Sequence, residues 1–516
     1  MEDTLTIDLF EPGMSPLHRA GLGGLAATLK RLNNSSGDLP HPPGTWDVDD
    51  RRVILRWDGG PTGARAFFQA LYAVSFRETN GLIDLPGVYD LASVGPAVKA
   101  ALQQGMSSTI LQFGPNRKAR SKTPVVKTYD MGGQTLTIEH QDLESYTHRG
   151  AWKDLVTNKG ALREQVTISG TIAPGFVQRH VSHAESSIEQ TPGLAIALHF
   201  ALVGTLSLSL GRKGGVLIIP DVSDLRSFVR KRPTLTPRSA AECHVANPAD
   251  AALQAQVRVR QSAVAAGLNV ERCFAVLFAS KSWNEKQKTR AQVIEVMADT
   301  DELDLFESAM SIQELKPRVA LAKPEKKGDA PRPFVVAGVV RPLIAENLAR
   351  HAPWYKGFRS LVVSNSGSQE DLARNLSYES KGLIALIEKM KWADTGEKTL
   401  IESIHVAMCS RFADIGNDAA DPVTFSNRVD RQRQEWRLEF AGAKTHADVR
   451  RGLADLWSRP KYYNPKLREA WQEILPILCD ESRWELVRDL ALLALASYRK
   501  PEKPEKPEDA KVEPSK

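Results

Sequence analysis

Leu17, Leu22, Leu25, Leu29 and Leu32 recur at helical spacing behind a Ser15-Pro16 start. That pattern predicts a helix over 15–32, with a hydroxyl cap and a proline in the first turn, where its missing N–H leaves no bond unmade. "RRVILRWDGG" (51–60) has the β-branched and aromatic content of a strand closed by an Asp-Gly turn. "ARAFFQALYAVSFRE" (64–78) returns to a helical period, so the opening of the chain reads as mixed α and β. From about 105 to 180 the pattern shifts to short alternating runs, such as "QTLTIEH" (134–140) and "EQVTISGTI" (164–172), which predict hairpins carrying long loops. A second αβ stretch follows. "GGVLIIPDVSDLRSFVRKR" (214–232) is a continuous apolar strand, a Pro-Asp turn and a helix with a cationic end. "RCFAVLFAS" (272–280) and "AQVIEVMA" (291–298) predict further core strands.

"KPRVALAKPEKKGDAPRPF" (316–334) concentrates proline and charge without an apolar period, which marks a linker or exposed crossover and places a domain boundary there. Beyond it the pattern is helical almost throughout. Segments such as "SQEDLARNLSYESKGLIALIEKMKWA", "PVTFSNRVDRQRQEWRLEFAGA" and "WELVRDLALLALASYRK" repeat apolar residues at three and four, and predict a helical bundle over 335–500. The last stretch, "KPEKPEKPEDAKVEPSK" (500–516), repeats Lys-Pro-Glu and has nothing to bury, so a disordered tail is expected over 501–516. The expected fold class is α+β: a multi-part mixed α/β domain over 1–330, β-rich near 105–180, followed by a C-terminal α-helical bundle.

"GLAIALHFALVGTLSLSLG" (193–211) approaches the length of a membrane span, but His199, Thr205, Ser207 and Ser209 interrupt it. A buried helix running into a strand is the better reading. Composition agrees: 42% of the 516 residues are hydrophobic and 25% charged, the proportions of a soluble globular protein. Lys+Arg 68 against Asp+Glu 62 leaves +6, so a polyanion has to be met by local patches. Cys243, Cys273, Cys409 and Cys479 are too scattered for zinc spacing or a disulfide framework. "MEDTLTIDLF" lacks the cationic start of a signal peptide, and a cytoplasmic location without membrane attachment is expected.

Catalysis leaves few tracks. No GxxxxGK[ST] loop, GxSxG elbow, HExxH or GxGxxG occurs. His180 and His183 stand three apart with only Glu185 near them, His446 and Asp448 share "THAD", and Asp84 and Asp90 flank a loop. None of these completes a metal or acid–base constellation, so no catalytic residue, metal or cofactor is assigned and the chain reads as a binding protein.

Basic clusters carry more. "GPNRKARSKTPVV" (114–126) sets Arg117, Lys118, Arg120 and Lys122 together with no acid among them, a loop that reads as ordering on nucleic acid with a bare solvated hinge as the competing reading, beside Asn116, whose amide is a turn former that can also reach base edges. "RSFVRKRP" puts Arg226, Arg230, Lys231 and Arg232 on the last turns of a helix, where they either complement the helix dipole or face phosphate. "SKSWNEKQKTR" (280–290) adds Lys281, Lys286, Lys288 and Arg290 after a strand. "RPKYYNPKLRE" joins Arg459, Lys461 and Lys466 to Tyr462 and Tyr463, a mixture that suits single strands, with a plain turn between bundle helices as the competing reading. Trp354, Tyr355 and Phe358 in "RHAPWYKGFRS" read as either stacking groups or core.

"DLFEPGMSPLHRAGLGGLAATLKRL", "VLIIPDVSDLRSFVR" and "ENLARHAPWYKGFRSLV" resemble the large subunit of type I CRISPR Cascade complexes, in the I-B-related subgroup labelled MYXAN, over nearly the whole chain. The resemblance implies a non-catalytic subunit that holds the 5′ handle of the guide CRISPR RNA, recognises the protospacer-adjacent motif in target double-stranded DNA and supports R-loop formation. Its implied partners are the Cascade backbone and small subunits, with either a helicase-nuclease effector for antiviral defence or transposition proteins. It also implies that a separate small subunit can be made from an internal start, for which Met390 is the first candidate and Met408 the second, with methionines that merely pack as the competing reading. The alternatives are a nucleic-acid-processing enzyme such as a nuclease with an unrecognised site, and a protein-interaction scaffold.

Overall fold

A computed structural model describes residues 3–35, 38–88, 94–130, 135–168, 188–211, 214–263, 272–279, 292–321, 333–336, 338–363, 369–392, 394–460 and 465–499. The expected Lys-Pro-Glu tail lies outside the described residues. The chain divides into two compact units, Met1–Glu307 with Lys316–Ala352, and Ser308–Leu315 with Pro353–Lys516.

In the first unit, β1 (Asp3–Asp8), β2 (Thr45–Val48) and β3 (Arg52–Trp57) form an antiparallel sheet in the order β1-β3-β2. Between the first two strands runs α1 (Pro16–Asn33), opened by a capping box in which Ser15 accepts from the His18 N–H and the His18 ring accepts from the Ser15 N–H. All five periodic leucines of α1 are buried. α2 (Gly60–Ser75) folds back so that Trp57, Phe67 and Phe68 meet at ring distances of 5.3 to 5.7 Å. β4 (Arg77–Thr79) and β5 (Leu82–Asp84) make a hairpin whose turn residues Asn80 and Gly81 take φ of 54° and 83°, the left-handed values a tight two-residue turn needs. α3 (Pro96–Ser107) leads to β6 (Arg117–Ala119), β7 (Val125–Asp130), β8 (Thr135–His140) and β9 (Leu143–Tyr146), paired as β6 with β9 and β7 with β8. β10 (Val166–Ile168) pairs with β11 (Ile188–Gln190).

The stretch that approached membrane length is α4 (Pro192–His199), a short helical turn Ala201–Gly204 and β12 (Leu206–Ser209), as the interrupting polar residues predict. No described helix is long and apolar enough to cross a membrane. α4 and its following turn lie directly on α1, since a Cβ at Gly21 would stand 1.8 Å from the Ala197 carbonyl oxygen and one at Gly24 2.5 Å from the Gly204 nitrogen. β12, β13 (Gly214–Pro220), β14 (Cys273–Ala279) and β15 (Gln292–Val296) form a four-stranded antiparallel sheet in sequence order. β13 is buried from Gly214 to Ile219. β15 corrects the expectation of a core strand: it is an edge, with Gln292, Val293 and Glu295 exposed and only Val296 buried. α5 (Leu225–Leu235) and α6 (Pro248–Ala263) separate β13 from β14.

The proline-rich stretch contains a short antiparallel pair, β16 (Arg318–Leu321) and β17 (Pro333–Val336); residues 322–332 lie outside the described residues. α7 (Val340–Leu348) still belongs to the first unit, because Arg341 grips Asp250 of α6 with bonds of 2.9 and 3.1 Å, both side chains being buried. The break therefore falls at Ala352–Pro353, later than the composition shift indicates.

The second unit is helical: α8 (Gln369–Lys389), α9 (Thr395–Asn417), α10 (Pro422–Gly442), α11 (His446–Ser458), α12 (Pro465–Cys479) and α13 (Trp484–Ser497). Leu490 to Ala494 are buried without interruption, which makes α13 the inner helix on which α8, α9 and α10 pack. Trp354 and Tyr355 meet the Trp392 ring at 5.6 and 5.9 Å and Phe358 is fully buried, so the three aromatics of "RHAPWYKGFRS" are core.

Candidate nucleic-acid interface

The cationic loop begins where α3 has ended and a tight turn, Gly114–Asn116, swings the chain into β6. Asn116 is 2% exposed; its Nδ2 donates to the Ile110 carbonyl and its Oδ1 accepts from Thr147 Oγ1, both at 3.5 Å. It pins the turn, so its amide is not presented to a base edge. Arg117 is half-buried, donates through Nη2 to the Gln112 carbonyl at 3.4 Å, and has its pKa lowered by desolvation. The next cations do face solvent. Lys118 pairs with Glu144 at 2.6 Å, Arg120 with Glu78 at 3.0 Å, and Lys122 is exposed.

The acids missing from the local sequence thus arrive from β4 and β9. An exposed ion pair contributes about 0–1 kcal/mol, so a phosphate can replace Glu144 on Lys118 at small cost, whereas Glu78 is largely buried and also accepts from the Gly81 N–H. Two further cations in the same stretch of chain are exposed. Lys127 is exposed on β7, the strand that has no second neighbour among the described residues, and Arg149 is exposed while its Nη1 donates to the Glu144 carbonyl at 3.5 Å. Behind β7, the β8 side chains Leu136, Ile138 and His140 are buried, which leaves β7 as the outer strand of its hairpin.

The cations of α5 separate sharply. Arg226 is exposed and pairs with Asp50 at 3.3 Å, and Arg230, one turn later, is exposed. Lys231 and Arg232 are buried with Leu225, Phe228 and Leu235, which removes both from the interface. Arg232 donates Nε to the Val203 carbonyl at 2.6 Å, Nη2 to the Thr205 carbonyl at 3.0 Å and Nη1 to Thr236 Oγ1 at 3.2 Å. It serves the carbonyls left open at the end of the Ala201–Gly204 turn.

In the second unit Arg459, at the end of α11, is held by Asp455 at 2.6 Å and Glu435 at 3.5 Å. Lys461 and Tyr462 next to it lie outside the described residues, as do Lys281, Lys286 and Lys288 of the other strand-end loop. The weaker catalytic candidates resolve structurally where they are described. Asp448 closes a capping box with Thr445, His446 Nε2 bonds the Leu478 carbonyl at 2.6 Å, and buried Asp84 takes Lys99 at 2.9 Å. His180, His183, Glu185 and Asp90 lie outside the described residues. Among the described residues no group of three or more His, Cys, Asp or Glu side chains is arranged to hold a metal.

Two segments match known domains: residues 6–199 the DevT N-terminal domain and residues 388–516 the DevT C-terminal domain. The chain is also 36% identical, over 518 residues, to the CRISPR-associated protein Cas8a1/Csx13 of Myxococcus xanthus (strain DK1622), covering 96% of this chain and 88% of that protein. The chain belongs to this Cas8a1/Csx13 family of type I CRISPR large subunits. The N-terminal DevT match contains the whole β6–β9 region with its exposed cations, and the C-terminal match begins just ahead of Met390. In this chain Met390 is buried at the end of α8, and Met408 is buried inside α9.

Proposed function

We propose that this chain is the non-catalytic large subunit of an I-B-related, RNA-guided DNA-targeting complex, holding the 5′ handle of the guide CRISPR RNA, reading the protospacer-adjacent motif and supporting R-loop formation. The observation that carries the reading is membership of the family over nearly the full chain. The exposed cations Lys118, Arg120, Lys122, Lys127 and Arg149 support it, since base pairing reads the target and the protein needs mainly phosphate contacts and a short groove reader. Arg230 adds a separate contact on α5. The complex would contain Cascade backbone and small subunits, and would hand the target either to a helicase-nuclease or to transposition proteins.

The test uses the assembled complex. Reversing Lys118, Arg120, Lys122 and Lys127 to glutamate should weaken target DNA binding at moderate salt and flatten the dependence of log K on log salt by about 0.9 for each phosphate no longer neutralised. Unchanged affinity with an unchanged slope would remove the cationic loop from the interface. Cleavage of labelled RNA or DNA by the purified chain with magnesium or manganese would replace the whole reading with the nuclease.

A further inference from the structure

β7 and β8 form a two-stranded ribbon with two unlike faces. On one, Leu136, Ile138 and His140 are buried, and α3 packs against β8. On the other, the register sets Val126 opposite Glu139 and Thr128 opposite Thr137, and Val126, Thr128 and Glu139 are exposed. Val126 is 46% exposed, and Glu139 has no ion-pair partner among the described residues. The two threonine hydroxyls meet across the strands at 3.3 Å. β-Branched side chains have few rotamers, so this face is stiff before anything touches it.

The base of the ribbon is fastened to the cationic loop. Gln103 of α3 donates to the Gln141 carbonyl at 2.7 Å, Gln141 Nε2 donates to the Ser121 carbonyl at 3.3 Å, and the Arg120 N–H donates to the Asp142 carbonyl at 2.8 Å. Exposed Arg120 and Lys122 therefore stand where the ribbon begins, and Lys127 is exposed further along β7. Their charge suits the phosphates that wall a DNA groove. The major groove, about 12 Å wide, admits two strands about 4.8 Å apart with their side chains, whereas the minor groove, about 6 Å wide, does not. Two residues along a strand advance about 6.8 Å, or two base-pair steps of about 3.4 Å, so the two cross-strand pairs cover about three base pairs. That is the span of a short motif.

The inference rests on the reading above, that this chain recognises a motif in duplex DNA. We propose that the exposed face of the β7–β8 ribbon enters the major groove and reads that motif. Glu139 accepts from the N4 amino group of a cytosine and Val126 packs on the methyl group of a neighbouring thymine, while Arg120 and Lys122 hold the adjoining phosphates. Thr128 and Thr137 offer hydroxyls that suit either a donor or an acceptor. A carboxylate in a groove is repelled by every phosphate around it, so Glu139 rejects any base that does not meet it with an amino group.

Binding of the assembled complex to duplexes randomised at the motif gives the base preference at each position. Glu139→Gln should move one position from cytosine toward adenine, whose N6 and N7 suit an amide, changing that ratio about ten-fold. Its salt dependence should stay as it was, because no phosphate contact is lost. Uracil in place of the motif thymine removes only the methyl group, and should weaken the unmodified complex about four-fold, the worth of one buried methyl, while leaving Val126→Ser unaffected. Inosine for the guanine paired with the cytosine removes a minor-groove amino group and should leave the preference unchanged. Both analogues act on the unmodified chain, so a misfolded variant cannot decide the outcome. A preference that follows the minor-groove amino group overturns the proposal. So does one profile shared by Glu139→Gln, Val126→Ser and the unmodified chain, and weakening by reversal of the loop cations then still leaves the chain on DNA. A complex with no base preference at any position overturns the motif reading itself.

Discussion

Arg230 and Arg232 stand two positions apart on α5 and do opposite things, because a helix turns about 100° per residue and presents them to different surroundings. Removing the buried guanidinium strands the Val203 and Thr205 carbonyls, each at about 1–3 kcal/mol, so Arg232→Ala should lower stability in urea by several kcal/mol. Arg230→Ala should stay within about 0.5 kcal/mol. The same logic extends to titration. His148 and His199 are both fully buried near Tyr72 and Phe76, and Tyr72 Oη lies 2.6 Å from His199 Nδ1. Desolvation pushes His148 down to about 4 and, with the neighbouring His148 adding repulsion, His199 down to about 3. Above their ordinary value of 6.5 both are neutral folded or unfolded, and stability is at its full level. As pH falls below it, the unfolded chain binds protons that the folded chain refuses, and stability is lost progressively toward the folded values. The loss should be on the order of 2 kcal/mol per histidine by pH 5, read as a falling melting temperature, and His148→Leu should make that fall shallower.

At the scale of elements, the contact between α1 and α4 depends on absent side chains. Gly21→Ala would force a Cβ against the Ala197 backbone and should cost about 1–3 kcal/mol in chemical denaturation. Gly442→Ala, with nothing near the added carbon, should change stability by less than about 1 kcal/mol. That contrast marks what periodicity conveys. The helices α1, α2 and α5 and the strands β3, β8, β13 and β14 all lie where spacing predicts them, because burial of one face dictates the spacing. β15 does not, since an apolar run reads alike at a sheet's centre and at its edge. The cationic loop was legible as a run of cations, but not the acids that pair with it. Glu144 reaches Lys118 only through the pairing of β6 with β9, and Glu78 reaches Arg120 from the separate β4–β5 hairpin, so neither neighbour can be read from the local sequence. For Lys231 and Arg232 a signal did exist: they fall at helical steps between Phe228 and Leu235, on the face that the apolar residues define.

For the molecule as a whole, the helical unit sets a limit on where an internal product can begin. α8 closes at Lys389, the Met390 N–H bonds the Leu386 carbonyl at 2.9 Å, and α9 starts afresh behind the Asp394 cap. A product opening at Met390 keeps α9 to α13 whole and coincides closely with the domain match from 388. One opening at Met408 discards Leu400, Ile401 and Ile404, all fully buried, and severs α9 in its middle. Helices shortened in that way lose the apolar face that holds them, so only the longer product can fold with the inner helix α13 covered on its α9 side. With an epitope tag after Lys516, immunoblots of cells expressing the gene should show a short band beside the full chain. Met390→Leu should abolish that band and Met408→Leu should leave it. A band that survives Met390→Leu and disappears with Met408→Leu would mean that the product is translated without regard to the helix it cuts, and would withdraw Met390 as the start.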